Sequence, residues 1–281
     1  MFILAILISF SNFATLITLE FIGIMLRLFQ TLGNFNTTLN LVVNSHVHLE
    51  KLNDLEKNKI KEKKEVHFTS DELAGDSVLE VNSVSFKYFG NEEYIFEGLN
   101  ISIEKNKHTL ITGVNGSGKS TLIGIMSGIL VPEKGSVIST SDRYAYVGAT
   151  PLIVSGTLKD NLLYGNNLQI SEEEMDEYIH RYKLFNENNK ESLDKEVTNK
   201  TLSSGQMQKV SFIRAMLSKP DILFLDESTS NLDYDSKKLI NEQLADSEVT
   251  IINSTHNIQE IKYDLHYLID IKDEKRELRR S

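Results

Sequence analysis

The sequence predicts an α/β domain with a parallel core sheet, preceded by one or two apolar helices of the membrane-spanning type. Three observations carry this expectation. From residue 79 onward, short apolar runs alternate with helix-like segments, the pattern of a parallel sheet covered by helices. A complete G-x-x-x-x-G-K-[ST] motif stands at 113–120, between an apolar run and a helical segment. Residues 1–19, MFILAILISFSNFATLITL, carry no charge at all.

The N-terminal segment comes first. An uncharged stretch of that length matches the roughly 20 residues a helix needs to cross a hydrocarbon core. A signal peptide is the alternative, but the basic start and the small-residue cleavage site that mark one are missing. Beyond Glu20 the residues Leu28, Leu32, Phe35, Leu39 and Val42 recur at steps of three and four, so they share one helical face. Asn34, Thr37, Thr38, Asn44 and Ser45 fall mainly elsewhere. That polar stripe either lines an aqueous pathway or marks where the helix emerges into solvent. EKNKIKEKK at 56–64 reads as a solvated helix end or linker, and a lysine excess beside a span marks its cytoplasmic side. The expected organisation is therefore a truncated transmembrane region at 1–55, a charged linker at 56–77 and a cytoplasmic domain at 78–281. The localisation expected is a membrane of the bacterial inner or plasma type.

Within the domain, LEVNSVSF (79–86) and LNISI (99–103) alternate like half-exposed strands. HTLIT (108–112), DILFLD (221–226) and TIIN (250–253) read as buried central strands. TLIGIMSGIL (121–130) is the helix after the glycine-rich loop. SEEEMDEYIHRY (171–182) opens with Ser171 and Glu174 in capping-box spacing. A formal net charge of −10 argues against general nucleic-acid binding, which needs cationic surface. With no cysteine, disulfide and thiolate chemistry are excluded.

The loop at 113–120 is the strongest chemical signal. Its glycines let backbone N–H groups curl around a phosphate at a helix N-terminus, where partial positive charge favours an anion. The candidate binding set is Gly113, Asn115, Gly116, Ser117, Gly118, Lys119, Ser120 and Thr121. Lys119 is placed to neutralise the β- and γ-phosphates of ATP, and the Ser120 hydroxyl to ligate Mg2+. DILFLDE (221–227) is an apolar strand ending in two acids. That order brings Asp226 to the Mg2+ and Glu227 to the attacking water.

Leu202-Ser203-Ser204-Gly205-Gln206 narrows the reading. With it, residues 79–271 resemble the ATP-binding cassette (ABC) family, through GVNGSGKS, LSSGQ, LFLDE, Ser230-Asn-Leu-Asp233 and Thr255-His256 in that order. The resemblance implies a P-loop NTPase cassette with a parallel core sheet, an antiparallel β edge and a helical signature subdomain at about 150–206. It implies that Tyr88 in SFKYFG stacks on adenine and that His256 contacts the γ-phosphate beside the catalytic Glu227. Ser203, Gly205 and Gln206 would cap the γ-phosphate held by a facing cassette, with Asp233 in the adjoining segment. The implied partner is thus a second cassette, in a homodimer or a heterodimer. SNFATLITLEFIGIMLRLFQTLGNFN is similar to the last two membrane helices of an exporter-type half-transporter, so the missing helices come from a longer chain or a partner.

Two positions depart from the family pattern. Ser204 replaces the first glycine of the signature pair, and Ala149 stands where the family has a glutamine that touches the metal and water. The second departure implies slow turnover with ATP binding intact. The leading function is ATP binding and hydrolysis driving export across a membrane. The alternatives are a nucleotide-binding switch or fragment with little turnover, and a soluble ABC ATPase not engaged in transport.

Overall fold

The protein is described from a computed structural model over residues 23–35, 67–68, 73, 75–185, 192–256, 261–272 and 275–280. The chain divides into two compact units, Met1–Lys63 and Lys64–Ser281.

In the first unit, residues 23–35 form a helix, α1. It is apolar most of the way round, with Ile24, Leu26, Phe29 and Phe35 all more than half exposed. Of the residues expected on one helical face, Leu28, Leu32 and Phe35 lie on α1, while Leu39 and Val42 lie outside the described residues. The uncharged stretch 1–19 and the lysine-rich stretch 56–64 also lie outside them. Among the described residues no helix is long and apolar enough to cross a membrane.

The second unit is built on two main sheets. In chain order its strands are β1 (His67–Phe68), β2 (Ser77–Phe86), β3 (Phe96–Glu104), β4 (His108–Gly113), β5 (Lys134–Ser139), β6 (Tyr144–Gly148), β7 (Gly156–Thr157), β8 (Glu196–Val197), β9 (Ile222–Asp226), β10 (Thr250–Ser254), β11 (Leu265–Lys272) and β12 (Lys275–Arg280). Its helices are α2 (Lys119–Met126), α3 (Leu158–Leu163), α4 (Glu172–Arg181), α5 (Ser204–Leu217) and α6 (Tyr234–Ala245). The six-stranded sheet runs β12-β11-β4-β10-β9-β6. It is parallel from β6 through β11, with β12 added antiparallel at one edge. The four-stranded sheet, β1-β5-β2-β3, is antiparallel around β2. β7 and β8 make a short separate ladder.

The central strands are apolar because both faces are covered. Every residue of β9 and β10 is buried, as are the middle four of β4. β3 alternates as expected of an edge strand, with Leu99, Ile101 and Ile103 inward. β2 follows its expected alternation over 79–82, with Leu79 and Val81 buried and Glu80 and Asn82 half-buried, and departs from it after a register shift between Val81 and Val84. It lies between β5 and β3, and Val78, Leu79, Val81, Val84 and Phe86 all enter the core. One apolar cluster joins β2, β3 and α2 to one face of the six-stranded sheet, through Ile222, Phe224 and Ile252; a second packs α3, α4, α5 and α6 against the other face, through Val147, Leu223, Leu225 and Ile251.

Two local expectations need correction. The helix after the loop stops at Met126 rather than reaching residue 130. Gly128 takes φ +75°, and the chain folds back so that the Leu130 N–H donates to the Gly124 carbonyl at 2.8 Å. The Leu130 side chain then occupies the space a Cβ on Gly124 would need. At α4, Ser171 caps the helix by accepting from the Glu174 N–H, but Glu174 does not return the bond. Its carboxylate pairs with Lys219 at 3.0 Å instead.

Candidate active site

The carboxyl ends of adjacent parallel strands make the site, as the crevice rule for open α/β sheets requires. β4 ends in the loop 113–118, β9 ends in Asp226 and β10 ends in Ser254. In register, Ser254 stands beside Asp226 on one side and beside Ile111 on the other. The sheet alone thus brings the loop and the acids together.

The loop is a close cradle. A Cβ on Gly113 would lie 2.5 Å from Ser117 Oγ and 2.7 Å from the Ile269 carbonyl, so no side chain fits there. Gly118 takes φ +103° as the N-cap of α2, which has no side-chain cap. The first N–H groups of α2 are therefore left for another acceptor, which is what an anion at a helix N-terminus supplies. Lys119 is buried and folds back over the loop, donating to the Gly113 and Val114 carbonyls at 3.1 and 3.3 Å. Its ammonium also lies 3.6 Å from Glu227 Oε1.

Ser120 Oγ donates to Asp226 Oδ1 at 2.9 Å, and Ser254 Oγ donates to the same oxygen at 2.6 Å. A hydroxyl and a carboxylate side by side are hard oxygen donors. They fit Mg2+, which takes one or two protein ligands and fills its shell with phosphate oxygens and water. Among the described residues no group of three or more His, Asp or Glu forms a metal cage. Asp226 also accepts at Oδ2 from the Tyr146 phenol, at 3.1 Å. Burial, and then the charge and hydrogen bond of Asp226, push that phenol up to about 12.

Glu227 has a left-handed backbone, φ +49°, which is unusual for a residue with a long side chain. Such a conformation costs roughly 1–3 kcal/mol and persists where the surroundings over-determine it. Here the Glu227 N–H donates to the Ser254 carbonyl and its own carbonyl accepts from Ser230. Glu227 lines two cavities. One, of about 460 Å³, is lined by Tyr88, Ile95, Asn115, Gly116, Gly118, Lys119, Ser120 and Thr121 as well as Glu227. The other, of about 120 Å³, reaches His256. His256 Nδ1 lies 4.0 Å from Glu227 Oε1, beyond a direct hydrogen bond.

The remaining expected residues fall into two groups. Tyr88 and Thr121 share the phosphate cavity and bond to each other, oxygen to oxygen, at 3.0 Å. The Ser117 side chain turns inward against Gly113, the residue is fully buried and its N–H donates to the Val114 carbonyl, so it does not line the cavity. The signature residues lie apart from the cavity. Ser203 caps α5, accepting from the Gln206 N–H at 3.2 Å, while Gln206 Oε1 accepts from the Ser203 N–H at 2.9 Å. Ser204 is exposed in the first turn of α5, and a Cβ on Gly205 would meet the Asn231 carbonyl and the Leu232 side chain at 3.9 Å, an ordinary contact. Asp233 caps α6, and the Ser236 N–H that it accepts holds its carboxyl below the usual range.

Ala149 follows β6, and its carbonyl accepts from Asn231 at 2.9 Å. Tyr146 and Ser254 are contacts of Asp226 that the motif reading did not single out. Ser254 closes a strand whose apolar pattern was legible. The two-residue step from Tyr144 to Tyr146 puts both on one face of β6, but nothing in the sequence pairs that face with Asp226.

A family model described as ABC transporter matches residues 96–230. The ATP-dependent permease MDL1 of Candida albicans is 33% identical over 214 residues, covering 68% of this chain and 31% of that protein. The colicin V secretion/processing ATP-binding protein CvaB of Escherichia coli is 29% identical over 227 residues, 75% of this chain and 32% of that protein. Among solved structures, a bacterial Atm1-family ABC exporter with ATP bound aligns with a TM-score of 0.63 at 22% identity. That alignment covers 73% of this chain and 40% of the other, and the likeness is one of fold. The chain spans about a third of the length of the permease and of the colicin protein.

Proposed function

The chain carries an ATP-binding cassette of the ABC transporter family, and from that premise we propose that it is the ATP-hydrolysing component of an ABC exporter. The observation that carries the reading is the convergence of Lys119, Ser120, Asp226 and Glu227 at the ends of neighbouring parallel strands. ATP lies with its adenine against Tyr88 and its phosphates along 113–120. Lys119 neutralises the β- and γ-phosphates while Asn115, Gly116, Gly118 and Thr121 shape the cavity beside them. Ser120 and Asp226 would hold Mg2+, whose charge offsets that developing on the phosphate oxygens.

The Lys119–Glu227 contact gives this site an order of events. Lys119 and Glu227 compensate each other's charge across 3.6 Å. A γ-phosphate entering the cavity takes Lys119 as its partner and releases Glu227 to accept a proton from the attacking water. His256, beyond Glu227, then has the γ-phosphate side of that carboxylate within reach.

Ser203, Gly205 and Gln206 act on the ATP of a facing cassette, with Asp233 in the adjoining segment. Ser203 is exposed and Gly205 and Gln206 are half-buried, all away from their own phosphate cavity, which supports a dimer of cassettes. Residues 1–55 form the end of a membrane region and 56–77 a linker. The uncharged stretch 1–19 and the exposed apolar surface of α1 support this, as do relatives named as a permease and a secretion protein. The cassette, 78–281, then faces the cytoplasm, with 150–206 as its helical subdomain.

A second reading, a nucleotide switch of slow turnover, is favoured by Ala149, which offers a methyl group where an amide is expected. Substitution Glu227→Gln separates the two readings. Phosphate release from ATP by the full chain should fall by about a hundred-fold in the variant while nucleotide binding persists. Equal, near-background rates for both proteins would favour the switch.

A further inference from the structure

Asp226 is held from three directions. Ser120 from α2 and Ser254 from β10 both donate to Oδ1, and Tyr146 from β6 donates to Oδ2. Each carboxylate oxygen has two lone pairs, so a cation arriving at Oδ1 displaces Ser120 and can leave Ser254 in place. The contact on Oδ2 then acts with Ser254 on Oδ1, fixing both carboxylate oxygens against turning about the last bond.

The path of Tyr146 to that oxygen is specific. β6 and β9 are parallel, with Tyr146 opposite Phe224 and Gly148 opposite Asp226. The ring therefore has to lie along its own strand, past Gly148, to reach a residue two positions further on. Gly148 leaves the room: a Cβ there would stand 3.1 Å from Tyr146 Cε1 and 3.5 Å from its hydroxyl oxygen. A phenol is long enough to span that step, and a glycine keeps the way open.

We propose that Tyr146 is a positioning residue for Mg2+, pinning Asp226 Oδ2 so that Oδ1 faces Ser120 and the phosphate loop. This role rests on the reading of Asp226 and Ser120 as the cation ligands. It is distinct from a role in holding the nucleotide, because Tyr146 does not line the phosphate cavity.

The test is a Mg2+ titration of the binding of a fluorescent ATP analogue by the full chain in detergent, repeated with Mn2+ followed by its electron-spin resonance. In EDTA, Tyr146→Phe should bind the analogue within two-fold of the unchanged protein. Its Mg2+ and Mn2+ midpoints should rise about ten-fold, the scale of losing a residue that orients a metal ligand. Gly148→Ala keeps the phenol but crowds the ring, so it should shift the midpoints in the same direction by less. It serves as the test if the phenylalanine variant does not fold. Midpoints within two-fold of the unchanged protein overturn the proposal, and so does an equal loss of binding in EDTA, which would make the ring mere packing. If the unchanged protein binds the analogue without any response to Mg2+, the cation reading of Asp226 falls, and this role falls with it.

Discussion

Two helix N-termini in this cassette are finished in opposite ways. α2 begins at Gly118 with no side-chain cap, and its free N–H groups face the phosphate cavity. α5 begins at Ser203 inside a complete capping box with Gln206, which satisfies donors from both sides of the turn. The first end is built around something the chain does not contain. The second is already satisfied and stands on the surface. Their difference teaches why one motif forms a binding site alone, whereas the other, satisfied by its own side chains, meets only ligand that is brought to it.

The largest expected effect lies at the first end. Lys119→Ala removes the cation that neutralises both the phosphates and Glu227, so nucleotide affinity measured by equilibrium dialysis should fall at least about a hundred-fold. That corresponds to about 3 kcal/mol, the range of a lost charge-assisted contact. A fall under ten-fold would mean that the loop backbone suffices, and the contrast with α5 would lose its basis.

At the second end, Ser203→Ala takes away the cap. The melting transition should reveal a loss of about 1 kcal/mol. Binding of the ATP analogue by the isolated chain should not change, while phosphate release should drop about ten-fold. Weakened binding in the same variant would show that the segment serves its own cavity. A smaller change is expected from Ala149→Gln, which should raise turnover a few-fold at unaltered nucleotide affinity. Steady-state rates at saturating ATP read this directly, and an unchanged rate would remove the loop after β6 from the mechanism.

Legibility followed the range of the interaction. The buried strands at 108–112, 221–226 and 250–253 were readable because a strand covered on both faces has to be apolar along its whole length. The phosphate loop was readable because its glycines, lysine and serine act within eight consecutive positions. The end of α2 was not, because it is set by Leu130 folding back over Gly124. The missing half of the Ser171 box was lost to Lys219, whose contact with Glu174 is a tertiary one. The second half of β2 misled because a register shift after Val81, with Ser83 at φ +50°, moves Val84 and Phe86 onto the same core as Leu79 and Val81.

What the sequence by itself determined is the chemistry at two strand ends: an anion-binding loop after β4 and two acids after β9. Local rules suffice there, since glycine freedom and strand apolarity each depend on a few neighbouring residues. Only the tertiary structure decided which of these ends meet. The register of β6, β9, β10 and β4 sets Ser254 beside Asp226 and brings the Tyr146 ring to its second oxygen. It also leaves Glu227 strained between Lys119 and His256. Those contacts join residues far apart in the chain, and their geometry comes from strand pairing that no local pattern records.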